Sequence, residues 1–337
     1  MDIKLQCQLE EFKDMRHNAF IKALELKSEG KHIAGIYGVN IPREILWAMD
    51  IVPINIFGID GSNIEAAEKY MDKESCSLLK ASYGYVITDR CPFSHFADII
   101  VGTDYCRDKE RMIYKLENIK KTYIIKEHKN EHDLMIEYEN FIYFLQQEFS
   151  VRLDEDKLVS VVEKINAVSK LIREITDIYM HHPDMVGCDD LTYIIYGSQF
   201  IFDLDERLDK LCQLRDTLDS ELPESAPVSK GSVLITGAPL AVLNDEITEP
   251  LSSVNKAVIA LSCCEGENYN IVNEGRNLYS GLARKYLAEG CHENLDSIIS
   301  EYKIETIINA DIKGCRGTGL VSSAKDIKVN NVKFIFP

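Results

Sequence analysis

HIAGIYGVNIPREILWAMDIVPINIFG, residues His32 to Gly58, is the segment from which the architecture is read. Two short apolar runs, Ile33 to Tyr37 and Val52 to Phe57, flank a stretch in which Pro42, Arg43 and Glu44 fit the first turn of a helix ending at Met49. Proline's missing N–H does no harm there, and an acidic side chain suits the positive end of the helix dipole. Apolar runs bounded by turn residues read as buried strands, and strand, helix, strand in succession implies a parallel sheet.

Upstream, Leu9, Phe12, Phe20, Ile21 and Leu24 recur at helical spacing over residues 8 to 29, and Gly30 stands where a C-terminal cap belongs. Downstream, Ile99 to Gly102 and Tyr123 to Ile125 add two more strands, completing a first domain over 1–132. From 133 to 222 the period is helical, as in Leu158, Val161, Val162, Ile165, Val168 and Ile172. Leu222 to Lys230, with two prolines and two serines, reads as a linker into a second domain over 223–337. There Val233 to Thr236, Ala257 to Leu261, Thr306 to Ala310 and Val332 to Phe336 are strand candidates. Helices are expected between them near Leu240 to Pro250 and Gly275 to Glu289. The expected fold class is α/β, with two Rossmann-like (flavodoxin-like) parallel-sheet domains joined by a helical region.

The chain has 337 residues, 45% hydrophobic and 28% charged, a globular composition. No run approaches the length of a membrane span, and Met1 to Phe20 lacks a basic start and an apolar block, so a cytoplasmic protein is expected. A net charge of -17 opposes binding to polyphosphate backbones and argues against a nucleic-acid partner.

Ten cysteines in a chain without an export signal suggest metal or redox work more than a disulfide scaffold. In open α/β sheets ligands bind beyond the carboxyl ends of the strands. Cys106, Cys264 and Cys315 each follow a strand candidate, near Gly266 and near Gly314, Gly317 and Gly319, where backbone can approach a ligand closely. Cys7, Cys188 and Cys212 lie in helical stretches and read as small buried hydrophobes. Neither a zinc-knuckle pair nor a C-x-x-C-x-x-C run is present, so zinc stays open as an alternative and any cluster must be gathered from distant loops.

The segment CSLLKASYGYVITDRCPFSHFADIIVGTDYC, Cys76 to Cys106, spaces three cysteines fifteen apart and resembles the 2-hydroxyacyl-CoA dehydratase and benzoyl-CoA reductase superfamily. Within it the chain looks most like the double-cubane cluster proteins. The likeness extends over Pro42 to Leu46, Thr236 to Leu240, Cys263 to Gly266, Ala283 to Leu287, Gly290-Cys291 and Gly314-Cys315. It implies one 4Fe-4S cluster held by Cys76, Cys106 and Cys315 in the cleft between the domains. With Cys91, Cys264 and Cys291 added, it implies a double-cubane 8Fe-9S group. Cys264, followed by Glu265-Gly266, is preferred over Cys263 as ligand. The resemblance further implies a homodimer acting as an ATP-dependent, low-potential reductase of small substrates, serving anaerobic chemistry. Its electrons would come from a separate acetate-kinase-like ATPase that carries its own 4Fe-4S cluster. Two alternatives stay open: a single-cubane dehydratase-like subunit acting on a 2-hydroxyacyl-CoA, and a non-catalytic electron carrier.

Two departures stand out. The family pattern Thr-Cys-Asp-Gly-Lys-Lys is replaced by Tyr105-Cys106-Arg107-Asp108-Lys109-Glu110, which sets Arg107 beside the expected cluster. Relatives also continue beyond the position of Pro337 into a closing segment. Glu44, Arg43, His95 and Arg107 are candidate proton-donating or supporting groups, His95 foremost from its Pro-Phe-Ser-His loop between Cys91 and Cys106.

Overall fold

The computed structural model describes residues 3–58, 60–183, 185–222, 232–237, 257–261, 264, 266–273, 277–287, 295–315 and 327–334. The helices in chain order are α1 (Ile3–Ser28), α2 (Arg43–Ala48), α3 (Ile64–Ala67), α4 (Ser77–Ile87), α5 (Pro92–Phe96) and α6 (Arg107–Leu116). They continue with α7 (Glu131–Phe149), α8 (Glu155–His181), α9 (Cys188–Gly197), α10 (Leu204–Ser220), α11 (Leu278–Leu287) and α12 (Leu295–Glu301). The chain divides into two compact units that interleave along the sequence: 20–166 with 264–290 and 336–337, and 1–19 with 167–263 and 291–335. The sequence periodicity, by contrast, predicts three contiguous segments, 1–132, 133–222 and 223–337.

The first of these units is built on β1 (His32–Tyr37), β2 (Ile51–Asn55), β3 (Ile99–Thr103) and β4 (Lys121–Ile125). All pairings are parallel, in the order β2-β1-β3-β4. β1, β2 and β3 are buried almost throughout, which explains why they read as continuous apolar runs without alternation. Pro53 is accommodated because β2 is an edge strand. The chain moves from β1 out to β2 and back across to β3, so the connections reverse direction between β1 and β3. That reversal is the topological switch point where α/β sheets bind ligands.

Helix α7 lays Leu134, Tyr138, Phe141 and Leu145 into the same core as Ile45, Leu46, Ile99 and Val101, joined by Leu282, Ala283 and Tyr286 of α11. Gly30 ends α1 in the left-handed conformation (φ 75°), with Lys31 N donating to Leu26 O and Gly30 N to Lys27 O. These two bonds are the Schellman pair that satisfies a helix's last carbonyls. Lys27, one turn earlier, donates to both oxygens of Asp98 at 2.7 and 2.8 Å, and Asp98 also accepts from Ile33 N. The end of α1 is thereby tied to the starts of β1 and β3.

The other unit carries a second four-stranded parallel sheet, β5 (Ser232–Thr236), β6 (Ala257–Leu261), β7 (Ile304–Ile312) and β8 (Lys328–Phe334), in the order β6-β5-β7-β8. The two sheets therefore share one strand order. The long apolar-periodic stretch before it is helical, as α7 to α10.

Three details differ from the sequence reading. Pro42 precedes α2 as its cap residue (φ -71°, ψ 82°) and is not inside the first turn. The last strand lies at Lys328–Phe334, earlier than Val332 to Phe336. Cys7 is exposed and Cys212 half-buried, because each falls on the outward side of its helix and so neither is a core residue. The expected linker and the expected helix near Leu240 to Pro250 lie, apart from Leu222, outside the described residues, as do Gly317 and Gly319.

Candidate functional site

Three of the expected cysteines share one local geometry. Cys76 is the N-cap of α4, Cys91 of α5 and Cys106 of α6, and in none does the side chain accept a capping hydrogen bond. Each carbonyl instead opens its helix, accepting from Lys80 N, His95 N and Glu110 N at 2.9 to 3.0 Å. The first-turn amides of α4 and α6 thus face the region of Cys76 and Cys106 with partial positive charge, which favours anions there. Cys76 and Cys91 are buried and Cys106 is half-buried; none of the three is in a disulfide.

A buried cation accompanies them. Lys109, on the first turn of α6, is 5% exposed. Burial pulls its pKa down, while Cys264, Cys106, Glu127 and Cys76 act in the opposite direction on its ammonium. One ammonium is thus within electrostatic reach of three thiols from far-separated parts of the chain. It lies close to Gly38, which follows β1 at φ 148°: a Cβ there would lie 3.3 Å from Lys109 Nζ and 3.5 Å from Thr103 Oγ1. The ammonium therefore sits over the carboxyl ends of β1 and β3, at the switch point. Glu127, an exposed residue after β4, has its pKa raised by partial desolvation and by Asp104, against the pull of Lys109 and Lys129.

The loop bearing Cys264 is anchored by Arg43. Its buried guanidinium donates to Gly266 O at 2.7 Å and to Asn55 Oδ1, at the end of β2, at 2.9 Å, with Glu267 at 3.7 Å. Cys264 and Gly266 belong to the unit of the first sheet, although Cys264 follows β6 in the chain. Tyr37, fully buried at the end of β1, has a hydroxyl with no hydrogen-bond partner among the described residues. Burial, with a smaller contribution from Cys91, pushes its pKa well above the ordinary value.

The remaining expected residues are placed differently. Glu44 is fully buried, accepting from Lys285 Nζ and Tyr286 OH at 2.8 Å each, and so acts as a core counter-ion. His95 is at the surface, its Nδ1 2.9 Å from Asp89 Oδ1 with both side chains more than half exposed. Arg107 is exposed, and the buried cation that follows Cys106 on α6 is Lys109. Position in the helix could have found it: three residues after an N-cap, a side chain shares the helix face of the cap. In the other unit, Cys315 follows β7 in a turn where Gly314 takes φ 78° and Cys315 N donates to Ile312 O. Cys291 and Cys263 lie outside the described residues.

Among the described residues, no three His, Cys, Asp or Glu side chains converge closely enough for a single metal ion. A cubane is larger than an ion and takes its thiolates further apart. The chemistry of the donors suits such a group: soft sulfur ligands, a cation to offset their charge, and a glycine that leaves room at the sheet edge.

The profile of "2-hydroxyglutaryl-CoA dehydratase, D-component" matches residues 38–331. The chain belongs to that family. The match begins at Gly38, next to Lys109, and spans Cys76, Cys91, Cys106, Cys264, Cys291 and Cys315. A curated relative from Escherichia coli strain K12, "Putative dehydratase subunit YjiM", is 23% identical over 333 residues, covering 94% of this chain and 87% of its own length. Among the described residues no helix is long and apolar enough to cross a membrane.

Proposed function

We propose that this dehydratase-family chain is an iron-sulfur protein of low-potential reduction chemistry, with Cys76, Cys106 and Cys315 as the thiolates of one cubane. Cys91, Cys264 and Cys291 add a second, giving the 8Fe-9S double cubane. The group supplies single electrons at low potential to a small substrate. A separate acetate-kinase-like ATPase with its own 4Fe-4S cluster delivers those electrons, and a homodimer presents it with a two-fold surface.

The observation that carries this reading is the company of Lys109. Cys264, which a single-cubane subunit does not require, is with Cys106 and Cys76 among the groups that favour the charged form of that buried ammonium. The chain's own residues have definable parts. The amides opening α4 and α6 favour anions next to their capping cysteines. Arg43 holds the Cys264 loop through Gly266 O. Gly38 keeps the floor of the site open.

Iron and acid-labile sulfide in anaerobically reconstituted protein, with the low-temperature spin spectrum, test the proposal. Eight iron atoms per chain, falling on replacement of Cys91, Cys264 or Cys291 by serine, are the expected result. Four iron atoms unaffected by those replacements refute the double cubane. They would favour the second reading, a 4Fe-4S dehydratase-like subunit, which the family match and the named relative support. That reading requires acyl-CoA esters to perturb the cluster spectrum.

A further inference from the structure

Arg107 is the cation that the sequence sets next to Cys106, but it is exposed, whereas Lys109 is buried. A buried ammonium is costly unless anions compensate it. This one lies 3.3 Å from where a Gly38 Cβ would stand, over the ends of β1 and β3. Cys264, Cys106 and Cys76 are among the groups that act on it. These thiols come from three separate loops, so proximity in sequence accounts only for Cys106.

We propose that Lys109 is the fixed counter-charge of this site, offsetting the negative charge that Cys76, Cys106 and Cys264 bring as thiolates and raising the potential at which a group held by them accepts an electron. Lys109 acts through that group and is a positioning residue, not a ligand. The proposal rests on the iron-sulfur reading above. Its physical content is simple: each added electron makes the bound group more negative, and a nearby cation inside a low-dielectric site favours the reduced form.

The test compares wild type, K109M and K109R, reconstituted anaerobically and titrated potentiometrically with the spin spectrum as readout. K109M should lower the one-electron reduction equilibrium at least tenfold, which is about 59 mV. K109R, which keeps the charge, should remain within about threefold of wild type. Equal midpoints for K109M and wild type overturn the proposal.

A second measurement needs no cluster. In metal-free protein, the alkylation rates of Cys106 and Cys264 by anionic iodoacetate and neutral iodoacetamide are followed by mass spectrometry of the tryptic peptides. A local positive charge favours the anionic reagent, so the iodoacetate-to-iodoacetamide ratio should fall severalfold in K109M. K109Q substitutes if K109M does not fold. An unchanged ratio refutes the counter-charge. Wild type that takes up no iron while the ratio still depends on Lys109 refutes the iron-sulfur reading and leaves the counter-charge standing.

Discussion

Glu44→Gln isolates the deepest ion pair described in the molecule. Glu44 is fully buried, and the Lys285 side chain is 1% exposed. Each carboxylate oxygen is used, Oε1 by Lys285 Nζ and Oε2 by Tyr286 OH, both at 2.8 Å. Glutamine keeps the shape but removes the charge, leaving an ammonium without its counter-ion in the core and turning an N–H toward one of two donors. Losing one partner of a buried pair costs about 3–5 kcal/mol. With a urea m-value of about 3 kcal/mol/M, the unfolding midpoint should drop by about 1–1.7 M. The only tryptophan, Trp47, lies in α2 three residues from Glu44, so its fluorescence reports the unfolding of this region. The double variant Glu44→Leu/Lys285→Met should recover most of the loss, since an apolar pair of similar volume replaces a buried ion pair at little or no cost. A midpoint for Glu44→Gln within about 0.3 M of wild type, at unchanged m, would refute the argument and show that water or a neighbour compensates Lys285.

Three further outcomes follow from the same unit. Tyr37, Tyr138 and Tyr286 all have pKa values raised well above the ordinary 10.0 by burial. Above pH 10 the unfolded phenols lose protons that the folded ones keep, so stability should fall as pH rises beyond 10. Tyr138→Phe should make that alkaline decline shallower in pH-dependent urea melts and, because its buried hydroxyl has no partner among the described residues, add about 1 kcal/mol at neutral pH. Gly84→Ala should destabilise by at least about 2 kcal/mol despite alanine's better helix propensity, since its Cβ would collide with the backbone carbonyl oxygen of Asn63. A gain in thermal midpoint would contradict that packing. Asn166→Ala removes two 2.9 Å bonds that the amide makes to the N–H and the carbonyl of Val272. Two buried backbone groups are then unsatisfied, a loss of about 2–4 kcal/mol by urea unfolding, and a loss below 0.5 kcal/mol would argue that water replaces the amide.

The strands were legible because parallel strands covered on both faces are nearly uninterrupted apolar runs, as Ile33 to Tyr37 and Ile99 to Thr103 are. Gly30 was legible because a left-handed cap suits glycine. The grouping of residues 264–290 with 20–166 was not, since local periodicity carries no record of which distant segments pack together. The cysteines could be named from sequence, but their shared place at helix starts depends on boundaries such as Ser77 and Arg107 that only the fold defines. Glu44 illustrates the opposite error: a carboxylate near a candidate site invites a chemical role, while its partners Lys285 and Tyr286, more than 240 positions away, make it part of the core. Lys109 was passed over for Arg107 because sequence shows adjacency and hides which of two basic side chains turns inward.

Sulfur is a poor cap. At Cys76 and Cys106 the helices begin without a side-chain acceptor, whereas serine is among the residues that cap best. Exchange of either thiol for a hydroxyl should therefore leave the metal-free chain as robust as before, or slightly more so. A serine variant that loses its iron would then have lost a ligand while its scaffold stayed intact, and the cost of cysteine at these positions is a slightly weakened helix start.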